Sequence, residues 1–440
     1  MKRVGLITYW YPPNQSIASI RLAKLVKYLP DFGWEPLVIT VAPGSDLYQR
    51  AGPLPDERRA GQVYRTRDLS LGVWAYRVLR WLRGQRVAAQ PDGAAPVAFY
   101  GARQPLVRAA YWLYRQALCF PDECWPWLWE YPAVRAIVAR EKPDALYSSS
   151  LPATTHLLAS RLAQELRLPW VAELRDFWSE SYTLRRIAPL RWLEARLERA
   201  TLRPARVLVT VSEPLRERLA ERHRKPAHIV MNGFDDADFA ARPAPAAGPA
   251  PAFTLVYTGT VYPGKQDPGL LFQALSALRR AGRSEQPPME VLFYSRSLGA
   301  VRAALETYPD LRGSVRLVGE VTHAEALRAQ QSAAALLFLE WTDAGDRGVL
   351  TGKLFEYLAA GRPILACGPA GGAVEPVLRA TGAGELASTP EAIQAVLLRW
   401  LDEFRRTGAV RVSVPPEKLQ PYTRRHQAGQ LAGILESVVS

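Results

Sequence analysis

Three cysteines, Cys119, Cys124 and Cys367, are all that this 440-residue sequence contains. They are too few and too scattered for a disulfide framework. None stands in a Cys-x-x-Cys pair or beside paired histidines, so the sequence carries no zinc-ligand pattern and no metal is expected. A reducing, cytoplasmic compartment is the expectation. Long apolar runs are also lacking. No stretch approaches the ~18 residues of a membrane span, and Val4–Ile7, behind Lys2 and Arg3, is too short for a signal sequence. Acidic side chains are in deficit: 56 Lys and Arg face 42 Asp and Glu, for a net charge of +14. Such an excess attracts nucleic acid, anionic lipid or phosphate-bearing substrates, although the abundance of Arg, Ala and Pro also reflects a general compositional bias. Histidine is scarce, and His223, His228, His323 and His426 have no partner at metal spacing and read as surface residues.

What is present alternates strands with helices. Arg3–Tyr9 reads as a buried strand, Ser19–Leu29 as a helix and Pro36–Val41 as a second strand. This βαβ opening implies a parallel sheet. The pattern resumes with strands at Ala145–Ser148, Trp170–Glu173, Val207–Val211 and Ile229–Met231, separated by helices at Thr154–Leu166, Arg185–Leu202 and Pro214–Arg222. Residues 241–252, rich in Pro and Ala, form a linker. Beyond it strands fall at Thr254–Tyr257, Glu290–Tyr294, Val315–Val318, Ala335–Leu339 and Pro363–Ala366. Helices lie between them at Pro268–Arg280, Leu298–Thr307, Ala324–Gln330 and Gly352–Ala360.

The expected fold class is therefore α/β, with two doubly wound Rossmann-like domains facing a cleft. The first comprises residues 1–240 joined by a terminal helix at 422–440, and the second spans 253–421. A segment at about 69–131 breaks the alternation. It interleaves Trp74, Trp81, Trp112, Trp125, Trp127 and Trp129 with arginines and reads as an insertion. Within it Val73–Arg83 has the pattern of a basic amphipathic helix, suited to an anionic membrane surface. The alternative is that these tryptophans pack on the first domain.

Two loops of the second domain suggest anion binding. Thr258-Gly259-Thr260 leads to Pro263-Gly264-Lys265, where glycines allow close backbone approach and Lys265 supplies charge. Thr351-Gly352-Lys353 opens a helix whose first N–H groups suit an anion, and Glu356, on the Lys353 face, can accept hydrogen bonds from vicinal ribose hydroxyls. Taken singly, each could be an ordinary turn or a first-turn charge. Ser148-Ser149-Ser150 with His156 lacks a nucleophile elbow and reads as a polar loop and helix cap.

Together with Tyr11-Pro12-Pro13, Arg21, Phe120-Pro121-Asp122, Arg175-Asp176, Asn232-Gly233-Phe234-Asp235 and Lys353-Leu354-Phe355-Glu356-Tyr357, these loops resemble the family-four glycosyltransferases. Those are retaining enzymes of the GT-B fold, and the resemblance runs through most of the chain. It implies that Lys265 neutralises a donor diphosphate and Glu356 grips its ribose. Lys353 would supply a second positive charge, while Gly259, Thr260, Thr351 and Gly352 line the phosphates and Val321 edges the nucleobase. Asp176 would lie near the reacting centre, with Arg21, His156 and Arg175 on the acceptor side.

Four places depart from the family pattern, one being Glu173 and Phe177, which flank Arg175-Asp176 where close relatives often have Asp and Pro. Gly348 stands where a first glutamate is usual, so the contact that orients the donor sugar is either missing or replaced, by backbone amides or by Asp346. Thr260 stands where an arginine is common, and Ser16-Ile17-Ala18-Ser19 replaces a Gly-Gly pair. The function implied is sugar transfer, with retention, from a nucleotide-diphosphate sugar to a glycan or lipid-linked acceptor. It would serve bacterial surface polysaccharide or lipid-linked glycan synthesis, on the inner face of the membrane, without metal or other cofactor. A catalytically silent scaffold of the same fold and a sugar-nucleotide epimerase are the alternatives. Nucleic-acid binding finds no recognised module.

Overall fold

The computed structural model describes residues 1–14, 16–42, 62–71, 105–180, 186–239, 252–283, 288–342 and 350–440. Two compact units divide the chain: Met1–Met231 joined by Arg424–Ser440, and Asn232–Thr423.

In the first unit, β1 (Lys2–Ile7), α1 (Ile17–Tyr28) and β2 (Trp34–Val41) make the opening βαβ, and β3 (Val63–Thr66) adds beyond β2. Next come α2 (Pro105–Ala117) and α3 (Tyr131–Glu141), then β4 (Ala145–Ser150), α4 (Thr154–Leu166), β5 (Trp170–Leu174), α5 (Ala188–Leu202), β6 (Val207–Thr210), α6 (Glu213–His223) and β7 (Ala227–Ile229). All seven strands pair in parallel, in the order β3-β2-β1-β4-β5-β6-β7. Helices cover both faces, so the strands are nearly continuous apolar runs: Val4, Leu6 and Ile7 in β1, Leu37, Val38 and Ile39 in β2, all buried. Ser16 starts α1, its Oγ accepting from the Ser19 N–H at 3.2 Å. The strand order reverses between β1 and β4, which makes their carboxyl ends the expected ligand edge.

Three features differ from the sequence reading. Ser148, Ser149 and Ser150 are not a loop but the buried end of β4. Their hydroxyls are satisfied internally: Trp170 Nε1 donates to Ser148 at 2.8 Å, Ser149 donates to Glu173 at 2.5 Å and Ser150 to the Glu173 carbonyl at 3.3 Å. Of the Trp/Arg segment, Trp74 and Trp81 lie outside the described residues. Trp127 belongs to the core, fully buried with its indole N–H donating to Thr66 Oγ1 at 2.8 Å. Finally, the first unit ends at Met231 rather than near 240, because the Phe234 N–H donates to the Tyr422 carbonyl at 3.0 Å, within the second unit.

The second unit repeats the plan with β8 (Phe253–Thr258), α7 (Gly269–Arg280), β9 (Met289–Tyr294), α8 (Gly299–Glu306), β10 (Val315–Leu317), α9 (His323–Ser332) and β11 (Ala335–Leu339). It continues with α10 (Gly352–Ala360), β12 (Ile364–Cys367), α11 (Val374–Thr381), β13 (Gly384–Ala387), α12 (Pro390–Thr407) and the short α13 (Pro416–Leu419). Its six strands run in the order β10-β9-β8-β11-β12-β13, reversing between β8 and β11. The closing helix α14 (Arg424–Val439) lies in the first unit against α1. It adds Ala428, Leu431, Ala432 and Leu435 to the cluster that holds Leu22, Leu25 and Val26.

A buried charge network fixes the first unit's centre. Arg21 and Glu173 are both fully buried, the guanidinium donating to Oε1 at 2.6 and 3.1 Å and to the carbonyls of Val230 and Met231 at 2.7 and 2.6 Å. Burial raises the carboxyl's pKa, but Arg21 and Arg175 outweigh it and leave Glu173 below its ordinary value. Removing one member of such a pair strands the other charge, at a cost of about 3–5 kcal/mol. Arg21→Met is therefore expected to destabilise the first unit by that amount in urea unfolding. Arg21→Met/Glu173→Gln, with neither charge, is expected to recover at least part of the loss.

Candidate functional site

The second unit gathers the candidate residues at its strand reversal. β8 runs into Gly259, whose φ of +99° turns the chain tightly. A Cβ there would only touch Lys353 Cε, at 3.5 Å, so it is the backbone angle, strained for any other residue, that calls for glycine. Lys353, in the first turn of α10, donates to Tyr257 Oη and, at 3.2 Å, to the Thr260 carbonyl, and its ammonium lies 4.1 Å from the Tyr257 ring centroid. Burial depresses its pKa to about 7, with Glu356 pulling weakly the other way. A lysine so placed holds its charge best when an anion arrives. Thr351 occupies the N-cap position of α10 without making a side-chain cap bond, and its buried hydroxyl has no hydrogen-bond partner among the described residues. The site thus combines a desolvated ammonium with a helix N-terminus, and both favour phosphate.

Glu356 follows on the same face of α10. Its carboxylate meets His323 Nε2 at 3.0 Å and accepts from Gln330 Nε2 at 3.1 Å. Gln330 is fully buried and also donates to Thr258 Oγ1 at 2.9 Å, so the end of β8, α9 and α10 are tied through one amide. Tyr357 completes the tie, its hydroxyl oxygen accepting from the Thr258 N–H at 2.9 Å. Glu356 itself stays about one-third exposed, open to a diol.

The loops are braced from below. Gln266, buried, donates to the Leu339 carbonyl at 2.8 Å and accepts from Tyr257 Oη at 3.2 Å. The Lys265 carbonyl accepts from the Thr342 N–H at 2.8 Å, and Tyr262 stacks on Trp341 with ring centroids 5.2 Å apart. These contacts hold the loop that carries Lys265 to the end of β11. Val321 lies in the turn between β10 and α9, beside Gly319. Asp346 and Gly348 lie outside the described residues. Among the described residues no cluster of His, Cys, Asp and Glu could hold a metal ion.

The acceptor-side candidates lie in the first unit and divide sharply. Arg21 is the core residue described above, with no exposed surface. His156 is buried too, its Nδ1 2.8 Å from Ser148 Oγ, and burial drops its pKa to about 4, leaving it neutral. Arg175 and Asp176 are only partly buried, at the carboxyl end of β5. Arg175 donates to the Ser150 carbonyl at 2.8 Å, at the start of two successive cis peptides, Ser150–Leu151 and Leu151–Pro152. Burial raises the Asp176 carboxyl above its ordinary value, with Arg175 opposing.

Residues 87–238 match the model of Glycosyltransferase Family 4. The whole chain superimposes on solved two-domain structures: the Anabaena protein HepE in complex with UDP and glucose, at 13% identity and a TM-score of 0.60, covers 99% of this chain and 100% of that one. The N-terminal domain of Candida albicans trehalose-6-phosphate phosphatase gives 11% identity and a TM-score of 0.63, over 99% and 97%. Sucrose-phosphate synthase from Thermosynechococcus elongatus gives 15% and 0.53, over 99% of each chain. The chain has the two-domain fold of the GT-B glycosyltransferases, and residues 87–238 carry the family-four pattern. No curated protein sequence matches it significantly.

Reading the sequence missed five residues. His323, taken for a lone surface histidine, pairs with Glu356. His223, read the same way, has a buried ring 3.0 Å from Glu198. Gln330 and Gln266 carry no motif, and only a buried amide on an otherwise polar helix or loop could have flagged them. Glu340, at the end of β11, is 1% exposed, and among the described residues no well-formed hydrogen bond reaches its oxygens. It fills the hollow over Gly372, where a Cβ would stand 1.9 Å from Oε1.

Burial pushes the Glu340 carboxyl from 4.5 to about 7. Below pH 4.5 folded and unfolded chains both hold this proton. Between 4.5 and 7 only the folded chain does, so stability declines as pH rises, and above 7 the deficit is constant. Glu340→Gln is therefore expected to be more stable than the parent at pH 8, by about 1–3 kcal/mol. The gap should nearly close at pH 5 in paired thermal melts.

Proposed function

We propose that this chain is a glycosyltransferase that transfers a sugar, with retention, from a nucleotide-diphosphate donor held by its second unit to a glycan or lipid-linked acceptor held by its first. The observation that carries the reading is the pairing on one helix face of Lys353, desolvated against Tyr257 and Gly259, with Glu356 about one turn later. A diphosphate fits the ammonium and the N-terminus of α10, and a ribose diol fits the carboxylate. Lys265, on the braced loop, adds the second cation. Charge that builds on the leaving diphosphate is then met by fixed cations and N–H dipoles, which is the main catalytic requirement of such a reaction. The leaving phosphate takes the acceptor's proton on the same face of the sugar, so configuration is kept.

In the first unit, Asp176 and Arg175 are assigned to the acceptor, being the partly exposed pair among the candidates. Arg21 and His156 serve the architecture. UDP, present with HepE, is the first nucleotide to try. The basic chain suits an acceptor that carries phosphate or sits on anionic lipid, as in bacterial surface polysaccharide or lipid-linked glycan assembly.

Two outcomes test the donor site. Lys353→Met and Glu356→Gln are each expected to weaken UDP binding roughly 10- to 100-fold, since charge-assisted hydrogen bonds contribute about 1.5–3 kcal/mol. Native affinity in both variants, measured by calorimetry, overturns the assignment. Transfer is expected to continue in EDTA, because the cations are lysines.

A pH effect follows from the Lys353 ammonium. Its pKa of about 7 leaves it mostly neutral in the free enzyme at pH 8. A bound diphosphate restores the charge, so binding at pH 8 is expected to take up close to one proton, and affinity to fall as pH rises above 7. Calorimetry in buffers of different ionisation enthalpy measures that proton, and Lys353→Met should abolish the uptake.

A further inference from the structure

Helix α5 sorts its charges the wrong way round for an ordinary solvated helix. Its two glutamates point inward. Glu194 lies 3.4 Å from Arg186, with both side chains buried, and Glu198 is buried against His223 and Arg222 at 3.0 and 3.3 Å. The outward face carries Arg191, Trp192, Leu193, Arg196 and Arg199, all exposed. Trp192 is 59% exposed, with the Arg196 guanidinium 4.3 Å from its ring centroid. A helix facing water alone gains nothing from hiding its acids and displaying tryptophan and leucine.

The face does not end with α5. Arg186, buried just ahead of the helix, donates to the carbonyls of Arg115, Cys119 and Pro121, and the Ile187 N–H donates to Gln116 Oε1 at 3.3 Å. The start of α5 is thereby stapled to the end of α2, which exposes Trp112 and Leu113. Beyond α2, Trp125 Nε1 donates to the Leu118 carbonyl at 2.8 Å and its ring meets Trp129 edge-on at 5.3 Å. Leu118 is 56% and Trp129 65% exposed. Trp112, Leu118, Trp129, Ile187 and Trp192 thus belong to one stapled stretch of surface, and its exposed charges on α5 are arginines.

We infer that this surface of the first unit, formed by the end of α2, residues 118–129 and the outer face of α5, docks the enzyme on an anionic lipid bilayer. Indole rings favour the headgroup boundary, where an apolar body and a polar N–H are both accommodated, while arginines meet lipid phosphates. A nucleic acid or an acidic protein segment would use the arginines but leave the isolated Leu and Ile side chains in water. The inference deepens the lipid-linked acceptor reading but does not depend on donor chemistry.

The test is flotation of the full chain with vesicles of phosphatidylcholine alone or mixed with phosphatidylglycerol, at low and rising salt. Binding is expected to the mixed vesicles only, and to fall with salt. Trp112→Ser/Trp192→Ser is expected to lower partitioning by roughly tenfold or more. Arg191→Gln and Arg196→Gln are expected to lower it about fivefold each. All four side chains are exposed, so melting temperature and UDP affinity should stay native, which separates loss of docking from misfolding and from failure of the donor reading. No flotation at low salt overturns the proposal. So does loss confined to Trp74→Ser/Trp81→Ser, or undiminished binding of the tryptophan variant, or tighter binding to duplex DNA or polyglutamate than to vesicles.

Discussion

The second unit is organised around a lysine that has lost much of its water. An ammonium keeps its proton readily only where solvent or a counter-charge supports it. Lys353 has an aromatic face, a phenol oxygen and one carbonyl instead. That arrangement uses a glycine at 259, whose φ of +99° turns the chain at the end of β8, and a tyrosine at 257 to lie beneath the ammonium. It also requires α10 to begin beside β8, which the strand reversal between β8 and β11 provides. The amide of Gln330 and the hydroxyl of Tyr357 then hold β8, α9 and α10 at fixed spacing. Preorganisation of this kind is what lets a fixed charge act on a leaving group without waiting for the site to rearrange.

The first unit shows the opposite treatment of charge. Arg21 and Glu173 are as desolvated as Lys353, yet each is closed off by its partner, by Ser149 and by two carbonyls. A closed network stabilises a shape, whereas an open one is ready for a ligand. The distinction explains why family resemblance alone misplaces Arg21 and His156. Both occur in the expected order along the chain, but order does not reveal whether a side chain ends in a core or at an edge.

Much of the architecture was legible because parallel strands are buried on both faces and so read as short apolar runs. Ala335–Leu339 and the helices at 154–166 and 352–360 coincide with their sequence-read bounds. What escaped notice lacks that contrast. Gly384–Ala387 is a strand of which only Ala387 is fully buried, and Val63–Thr66 buries only Thr66. Ser148–Ser150 is a strand written in serine, made possible by Trp170 and Glu173 on the neighbouring strand, which no local pattern announces. Among the candidate residues, the placing of Lys353 and Glu356 on one face of α10 was readable because a helix start and a one-turn spacing are local facts. His323 and Gln330 meet Glu356 from α9, whose own sequence gives no sign of that partner.

The return of α14 to the first unit bears on how the chain is made. The apolar face of α1, with Leu22, Leu25 and Val26, is covered by residues that emerge from the ribosome some four hundred positions later. The second unit is continuous in sequence and can close its core while the tail is still being translated. Throughout that interval the first unit presents an uncovered hydrophobic strip, the kind of surface on which nascent chains aggregate or recruit chaperones. Translation order therefore gives the segment encoded second the earlier opportunity to finish folding, and leaves completion of the first to the last helix.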